Sequence, residues 1–424
     1  MQYVWQHRLW NPAGMSTVDG RAVRIIDPGL LNTGAGPDFF NAKVSIDGEL
    51  WAGNVEIHYR ASDWRRHGHD NDPAYDSVIL HVVDKDDMPV RRHDGRIIPQ
   101  MRMPCSPEFS RHCSDLLEAS PSGLPCASAI AAMPGVYLTD WVTALGYERV
   151  YRKSDHLTDL ARRLKGDWEE VAYITLARAM GFGVNNDTFE RLAMSVPLKF
   201  LRKHADSPLS VEALLFGQAG LLDGSPDDDP YVSRLVNEYR FLSHKFGLKP
   251  LSPGAWRLGR MRPWNFPHRR VATLAEIVAR CGHIMSSLLA IDCEEKAAEF
   301  FNFGLSGYWN RHYRFGASSA QIEKAVSASS VRLLMINAVV PLLHAYATSR
   351  GDDCLRDGAV DMLRRLKPES NSIVAMFTAA GIPCRDAFTS QALIQLRREY
   401  CEQRKCLYCR VGHRMLAARA YRPE

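Results

Sequence analysis

Gly36-Pro37-Asp38-Phe39 and, eighteen residues beyond the aspartate, Val55-Glu56-Ile57-His58 are the stretches around which the chain is organised. The residues near them alternate. Ala42, Val44 and Ile46 are apolar against polar Lys43 and Ser45; Trp51, Gly53, Val55, Ile57 and Tyr59 then alternate with Asn54, Glu56 and His58. A strand sends successive side chains to opposite faces, so Glu56 and His58 share a face. A Pro-Asp turn entering one strand, with Glu-x-His on the next, brings two carboxylates and a basic group to one sheet surface. Carboxylate oxygens ligate Mg²⁺ or Mn²⁺, and a basic neighbour orients or deprotonates a water. Asp38 and Glu56 are thus the candidate ligands, with the Ile57 carbonyl, and His58 is the candidate base.

Further strands read outward from this pair. Val23 to Ile26 is a first one, closed by Asp27-Pro28-Gly29. Ser77 to Val83 is apolar on both faces, as a central strand is. Arg96 to Met103 is a last one, its Pro99 favouring an edge. Residues 118–136, with their prolines, serines and glycines, read as a linker or extended loop. Beyond Val136 apolar residues recur at three and four, as in Val171, Ile174, Leu176 and Met180, which is the helical period. Thr273-x-x-Glu276 and Ser318-x-x-Gln321 have the spacing of capping boxes. The expectation is an α+β chain: a small mixed-sheet domain over 1–117, a linker over 118–136, and a large all-helical domain over 137–424.

At 424 residues, two domains fit comfortably. The apolar share of 46% and the charged share of 24% are those of an ordinary globular chain. No uninterrupted apolar run approaches the ~20 residues that span a bilayer, and the N-terminus lacks the basic start and apolar core of a signal peptide. A cytoplasmic protein without membrane contact is the expectation. A net charge of +5 permits a nucleic-acid partner and does not require one. Ten cysteines in such a chain speak for metal ligands or buried thiols over disulfides. The oligomeric state is not legible. A nucleophile elbow, a phosphate-binding loop and a dinucleotide fingerprint are all absent.

Three constellations carry chemistry. The first runs from Asp38 to His81 and adds Asp63, His67, His69, Asp70, Asp72 and Asp76 to the central trio. Besides Mg²⁺ or Mn²⁺ on carboxylates, imidazoles from His58, His67, His69 or His81 suit Zn²⁺ or Mn²⁺. The bland alternative is a solvated loop over Trp64 to Tyr75 with His81 as a core residue. The second is Cys401-x₄-Cys406-x₂-Cys409-x₃-His413, a set for Zn²⁺ or an iron–sulfur cluster with His413 or Cys384 as fourth ligand. Its alternative is a helix whose cysteines are apolar filler; Cys105, Cys113, Cys126, Cys281, Cys293 and Cys354 lack ligand spacing and read as structural. The third is Trp256 to Arg270, in which Arg257, Arg260, Arg262, Arg269 and Arg270 stand among aromatics including Trp264. Guanidiniums pair with phosphates and aromatic faces stack on bases, which suits a nucleic-acid surface; a buried aromatic loop is the alternative. Tyr308 to Phe315 has the same flavour, and the basic C-terminal tail reads as a solvated helix face.

Pro37-Asp38 followed by Glu56-x-His58, in the order strand, Pro-Asp, strand, Glu-x-basic, strand, resembles the PD-(D/E)xK nuclease superfamily. That resemblance implies Asp and Glu as Mg²⁺ ligands and a lysine assisting the attacking water. His58 stands where the lysine is expected, and Lys43 is the candidate substitute. Some nucleases of that superfamily hold a cluster largely with C-terminal cysteines. More broadly, the run Asn32 to Ala42, Trp51 to His58, Ser62-Asp63-Trp64, His67-Gly68-His69, Val78 to Val83, Phe216 to Gly220, Arg262 to Pro267 and the final cysteines resemble a bacterial family of unknown function over nearly the whole length. The expected activity is metal-dependent phosphodiester hydrolysis on DNA or RNA. The rivals are a binding module on a degenerate nuclease scaffold and a zinc or manganese hydrolase of a small substrate.

Overall fold

The computed structural model describes every residue except 11–13, 33, 104–110, 112, 115–122, 225–228, 260, 262, 306, 323 and 421–424. Cys105 therefore lies outside the described residues. The chain forms two compact units. The first comprises Met1–Leu138, Ala380–Ile382 and Arg397–Glu424; the second comprises Thr139–Ala379 and Pro383–Leu396. The cysteine-rich C-terminal segment, expected with the helices, thus folds with the sheet.

The first unit opens with a short helix, α1 (Gln2–Gln6), which buries Val4 and Trp5. It holds a mixed sheet built from β1 (Val23–Asp27), β2 (Leu30–Leu31), β3 (Phe39–Ile46), β4 (Glu49–Arg60), β5 (Val78–Lys85) and β6 (Gln100–Arg102). The order is β1-β3-β4-β5-β6, with β2 also on β3. β3 and β4 are an antiparallel hairpin, whereas β4–β5 and β5–β6 run parallel. Asp47-Gly48 makes the hairpin turn with both residues at positive φ, the conformation a two-residue turn of this twist demands. As its apolar pattern implies, β5 is central, and Val78 to Val83 are all buried.

One irregularity sets the geometry of the site. Asn41 adopts φ +56°, and the β3–β4 register slips between Phe39 and Ala42. The extra residue lets Phe39 and Ala42, an odd and an even position, both face the core. That core contains Val4, Trp5, Phe39, Val44, Val55, Ile57, Val82 and Leu416. The opposite face of β4 and β5 is covered by the crossover between them. This crossover comprises helix α2 (Asp63–Arg66) and two single turns of 3₁₀-helix, and its Trp64 and Tyr75 pack with Val78, Val83 and Ile98. Glu56 and His58 lie on this covered face.

Among its described residues, the second unit is helical apart from a short hairpin, His312–Arg314 with Ala317–Ser318. Both expected capping boxes fail. Thr273 lies inside the helix Pro267–Arg280, where its Oγ1 donates to the Arg269 carbonyl at 2.9 Å, and Ser318 belongs to the hairpin. Within the expected linker the chain forms a helix, Ala127–Ala131. The stretch Ala328–Arg350 is long and apolar enough to cross a membrane by composition, but 72% of its most apolar window is buried in the helical core.

The arginine-aromatic loop faces inward at its end. Arg269 and Arg270 are 0% and 1% exposed. Arg269 donates to the carbonyls of Trp309 at 2.7 Å and Lys324 at 3.0 Å. Arg270 donates to Asn265 Oδ1 at 3.0 Å and lies 4.1 Å from the Phe182 ring centroid. Burial pulls the two guanidiniums down to about 10 and about 9. Neither is available to a phosphate, so both expectations are corrected: these arginines organise the helical core. Arg257 and Trp264 are exposed, while Arg260 and Arg262 lie outside the described residues. Arg269→Ala orphans the buried Trp309 carbonyl, at roughly 1–3 kcal/mol, and frees the part-buried Lys324 carbonyl to water. Urea denaturation should show that loss; an unchanged midpoint would refute the structural role.

Candidate metal centre

Two reciprocal hydrogen bonds join the acids. The Asp38 N–H donates to Glu56 Oε2 at 2.9 Å, and the Ile57 N–H donates to Asp38 Oδ2 at 3.1 Å. Gln2 Nε2 donates to the other Asp38 oxygen at 2.7 Å. Glu56, 5% exposed, turns Oε1 toward His58 Nε2 at 3.3 Å and His69 Nε2 at 3.4 Å.

His58 is the hub of an imidazole cluster. Its Nδ1 lies 2.9 Å from His81 Nε2, and its Nε2 lies 3.2 Å from His67 Nδ1. His81 is on β5 directly opposite Glu56. His67 and His69 follow α2, with Gly68 between them at φ 78°. A side chain rarely allows that reversal. The ligand atoms of His58, His67 and His69 all fall within 4.8 Å of one another, with His67 at the exposed edge. Trp64 and Tyr75 form the wall: His69 stacks on Tyr75 at 3.8 Å, and Trp64 lies edge-on to His69 and His81.

Burial decides the charges. It raises the Asp38 carboxyl to about 6, with the neighbouring Glu56 adding to the effect. It lowers His58 to about 4 despite the opposing pull of Glu56, and His81 to about 3 with His58 contributing. At neutral pH His58 and His81 are therefore neutral, with lone pairs available. Carboxylate oxygens and imidazole nitrogens converging in a largely desolvated pocket are donors that a divalent cation takes, Mn²⁺ or Zn²⁺ more readily than Mg²⁺ when imidazoles dominate. With the His58 proton on Nδ1, that N–H donates to His81 Nε2 and leaves the Nε2 lone pair facing Glu56.

Asp38, Glu56, His58, His67, His69 and His81 are thus brought together. Lys43 is not among them: it is exposed and pairs with Ala52, four residues before Glu56 on β4. At strand rise that offset sets it roughly 13 Å back from the acid. Gln2 and Tyr75 are site residues that the motif does not reveal; no spacing signal marks Gln2. Beside the cluster, a cavity of about 430 Å³ is lined by Gln2, Tyr3, His58, Tyr59 and Tyr408. His413 is near α1, its Nδ1 2.7 Å from the Tyr3 hydroxyl.

The chain belongs to the family described as protein of unknown function (DUF2851), whose model matches residues 1–372. No curated protein and no solved structure matches it.

The buried histidines impose a pH dependence. Unfolded imidazoles take a proton near 6.5, whereas folded His58 and His81 resist until about 4 and about 3. Their stabilisation is complete above pH 6.5 and is lost as pH falls toward 4. Asp38 acts oppositely: its folded carboxyl at about 6 protonates before the unfolded one, adding stability as pH falls through 6. Two histidines with larger displacements outweigh one aspartate. In EDTA, the urea midpoint should fall from pH 7 to 4.5, and a chain carrying His58→Gln and His81→Gln should lose that slope. Equal slopes in the two chains would contradict the assignment.

Proposed function

We propose that this chain is a metal-dependent phosphodiester hydrolase acting on DNA or RNA. The observation that carries it is the convergence of Asp38 and Glu56, eighteen residues apart, with the His58, His67 and His69 imidazoles on one covered sheet face. The strand order supports the likeness to the PD-(D/E)xK nucleases, with the aspartate entering β3, Glu-x-His on the adjacent antiparallel β4, and a crossover to parallel β5.

In this reading Asp38 and Glu56 hold Mg²⁺ or Mn²⁺, the His67 and His69 imidazoles shift the preference toward Mn²⁺, and His58 stays off the ion as the base. A bound divalent cation supplies charge neutralisation at the phosphate and a more acidic water. His58, neutral at pH 7, accepts a proton at Nε2, the atom turned toward Glu56. His81 is a positioning residue that holds the His58 ring through Nδ1. Gln2 and the Ile57 N–H keep the Asp38 carboxylate oriented. The cavity beside His58, with Tyr59 and Tyr408 on its rim, has room for a nucleotide and aromatic faces for its base.

A second reading is a zinc or manganese hydrolase of a small substrate. The histidine trio favours it, as does the burial of Arg269 and Arg270, which removes two groups that would have tracked a polymer backbone.

Incubation with Mn²⁺, Mg²⁺ or Zn²⁺ and plasmid, single-stranded DNA, RNA or bis(p-nitrophenyl) phosphate distinguishes these. The nuclease reading expects polymer cleavage. Glu56→Gln should lower the rate by more than the roughly 10–100-fold that loss of an outer partner costs, and His81→Gln by about that amount. Cleavage of the small diester alone would favour the second reading. Identical residual rates for wild type and Glu56→Gln with every ion would end both.

A further inference from the structure

The cavity beside His58 is walled largely by three separate parts of the first unit. α1 contributes Gln2 and Gln6, and the end of β4 contributes Tyr59. A single turn of 3₁₀-helix near the C-terminus, Cys406–Tyr408, contributes Leu407 and Tyr408. Among the described residues, no lysine, arginine, aspartate or glutamate side chain lines it, and burial keeps His58 uncharged at neutral pH. A phosphate would find no side-chain counter-charge inside, and a buried charge without one is costly. What fits is a neutral group. The volume, about 430 Å³, is that of a small-molecule site. Gln2 donates to Asp38 Oδ1 at 2.7 Å and so joins the cavity to the carboxylates. The Gln6 amide has no hydrogen-bond partner among the described residues. It offers a donor and an acceptor together, as the edge of a nucleobase requires.

The rim is aromatic and held in place. Tyr59 is 54% exposed and Tyr408 68% exposed, a large ring area to leave in water. The Tyr408 N–H donates to the Lys405 carbonyl at 3.0 Å, and Leu407 beside it packs on the sheet core. Any side chain at Gly412 would run into the Cys406 carbonyl, so the last helix presses on this turn. His413 Nδ1, 2.7 Å from the Tyr3 hydroxyl, ties the same segment to α1. Cations stand just outside. Lys85 Nζ lies 5.3 Å from the centroid of the Tyr59 ring, and Arg60 is opposite Lys85 in the β4–β5 register. Arg404 and Lys405 lead into the turn of Tyr408, and all four cations are exposed. An uncharged aromatic pocket inside a basic rim separates base from backbone: rings stack on the one, and cations meet the phosphates of the other.

A base inside a duplex cannot use such a pocket. Its faces are covered by the neighbouring pairs and only its edges reach a groove, whereas an unpaired base offers both faces. We propose that the cavity receives one unpaired base of a single-stranded nucleic acid against Tyr59 and Tyr408, so that the centre works on single strands in preference to duplex. Tyr408, supplied by the C-terminal segment, is the specificity-determining residue. The substrate preference rests on the hydrolase reading; the binding of the strand does not.

Fluorescence anisotropy of the full chain in EDTA tests the binding apart from the chemistry. The labelled probes are a short single-stranded DNA, the same sequence as RNA, the corresponding duplex, and an abasic strand of equal length. A single strand should bind more tightly than the duplex and the abasic strand, and the better of DNA and RNA identifies the sugar. Loss of one stacking contact costs roughly 5- to 150-fold in affinity. Tyr408→Ala should weaken the single strand by about that factor and leave the abasic strand unchanged, and Tyr408→Phe should keep wild-type binding. Phe241→Ala, at an exposed ring of the helical unit, should change nothing. The wild-type probe series stands even if a variant misfolds, and the urea midpoint identifies such a variant. Duplex or abasic strand bound as tightly as the single strand, no binding to any probe, or a folded Tyr408→Ala with wild-type affinity would each overturn the proposal. Single-strand binding without cleavage in Mn²⁺ would keep the pocket and remove the hydrolase reading. Cleavage of single strand and duplex at equal rates would do the reverse.

Discussion

The pair of backbone-to-carboxylate hydrogen bonds between β3 and β4 is the constraint on which the site depends. Each acid accepts an N–H from the other acid's segment: Glu56 from Asp38, and Asp38 from Ile57. Both carboxylates are therefore oriented by the backbone and not by rotamer preference alone. This requires the strands to keep one register. A slip of one residue would turn Glu56 and His58 into the core of Trp5 and Phe39, and would bring Val55 and Ile57 to the polar face. The Asp47-Gly48 turn fixes that register at one end. The Asn41 bulge then lets the chain leave β3 with Phe39 still inside and Asp38 free to meet Glu56.

The crossover that covers this face changes the chemistry of what it covers. Were Trp64 to Tyr75 a solvated loop, the histidines would titrate as ordinary imidazoles. Instead Trp64 and Tyr75 close over them, and desolvation holds His58 and His81 neutral while raising Asp38. Of the two imidazoles that Glu56 faces, His58 is held neutral by burial and brings no counter-charge. A buried charge is costly unless paired, and a neutral imidazole pairs it only in part. A divalent cation is the counter-charge that the hydrolase reading supplies.

Much of this was legible in strand periodicity. Alternation places Glu56 and His58 on one face, and the unbroken apolar run marks β5 as central, because both inferences need only local geometry. What depended on tertiary context was not legible. Arg269 and Arg270 look like surface cations, since arginine is rarely buried without a partner; here carbonyls from distant segments accept the protons of Arg269. The Thr273 and Ser318 spacings match a capping box but sit within a helix and a hairpin. Lys43 lies on an adjacent strand, yet register carries it away from Glu56. The C-terminal cysteine segment reads as part of the helical domain, and only the return of the chain's end to the sheet unit shows otherwise.

That return has a thermodynamic cost of its own. Bringing Arg397 back to the Gly123 carbonyl closes a loop that contains the whole helical unit, which for a flexible chain of that length costs on the order of 5 kcal/mol in closure entropy. The intervening residues form a compact unit, so the real figure is smaller, but the last segment must still be held by what it touches. Leu416 is fully buried with Val4 and Trp5, and Tyr3 reaches His413, so the two ends of the chain stabilise each other on the sheet. Cys406, Leu407 and Met415 pack against the same core, and the Arg414 guanidinium lies over the Tyr137 ring, while Arg404 and Lys405 face solvent.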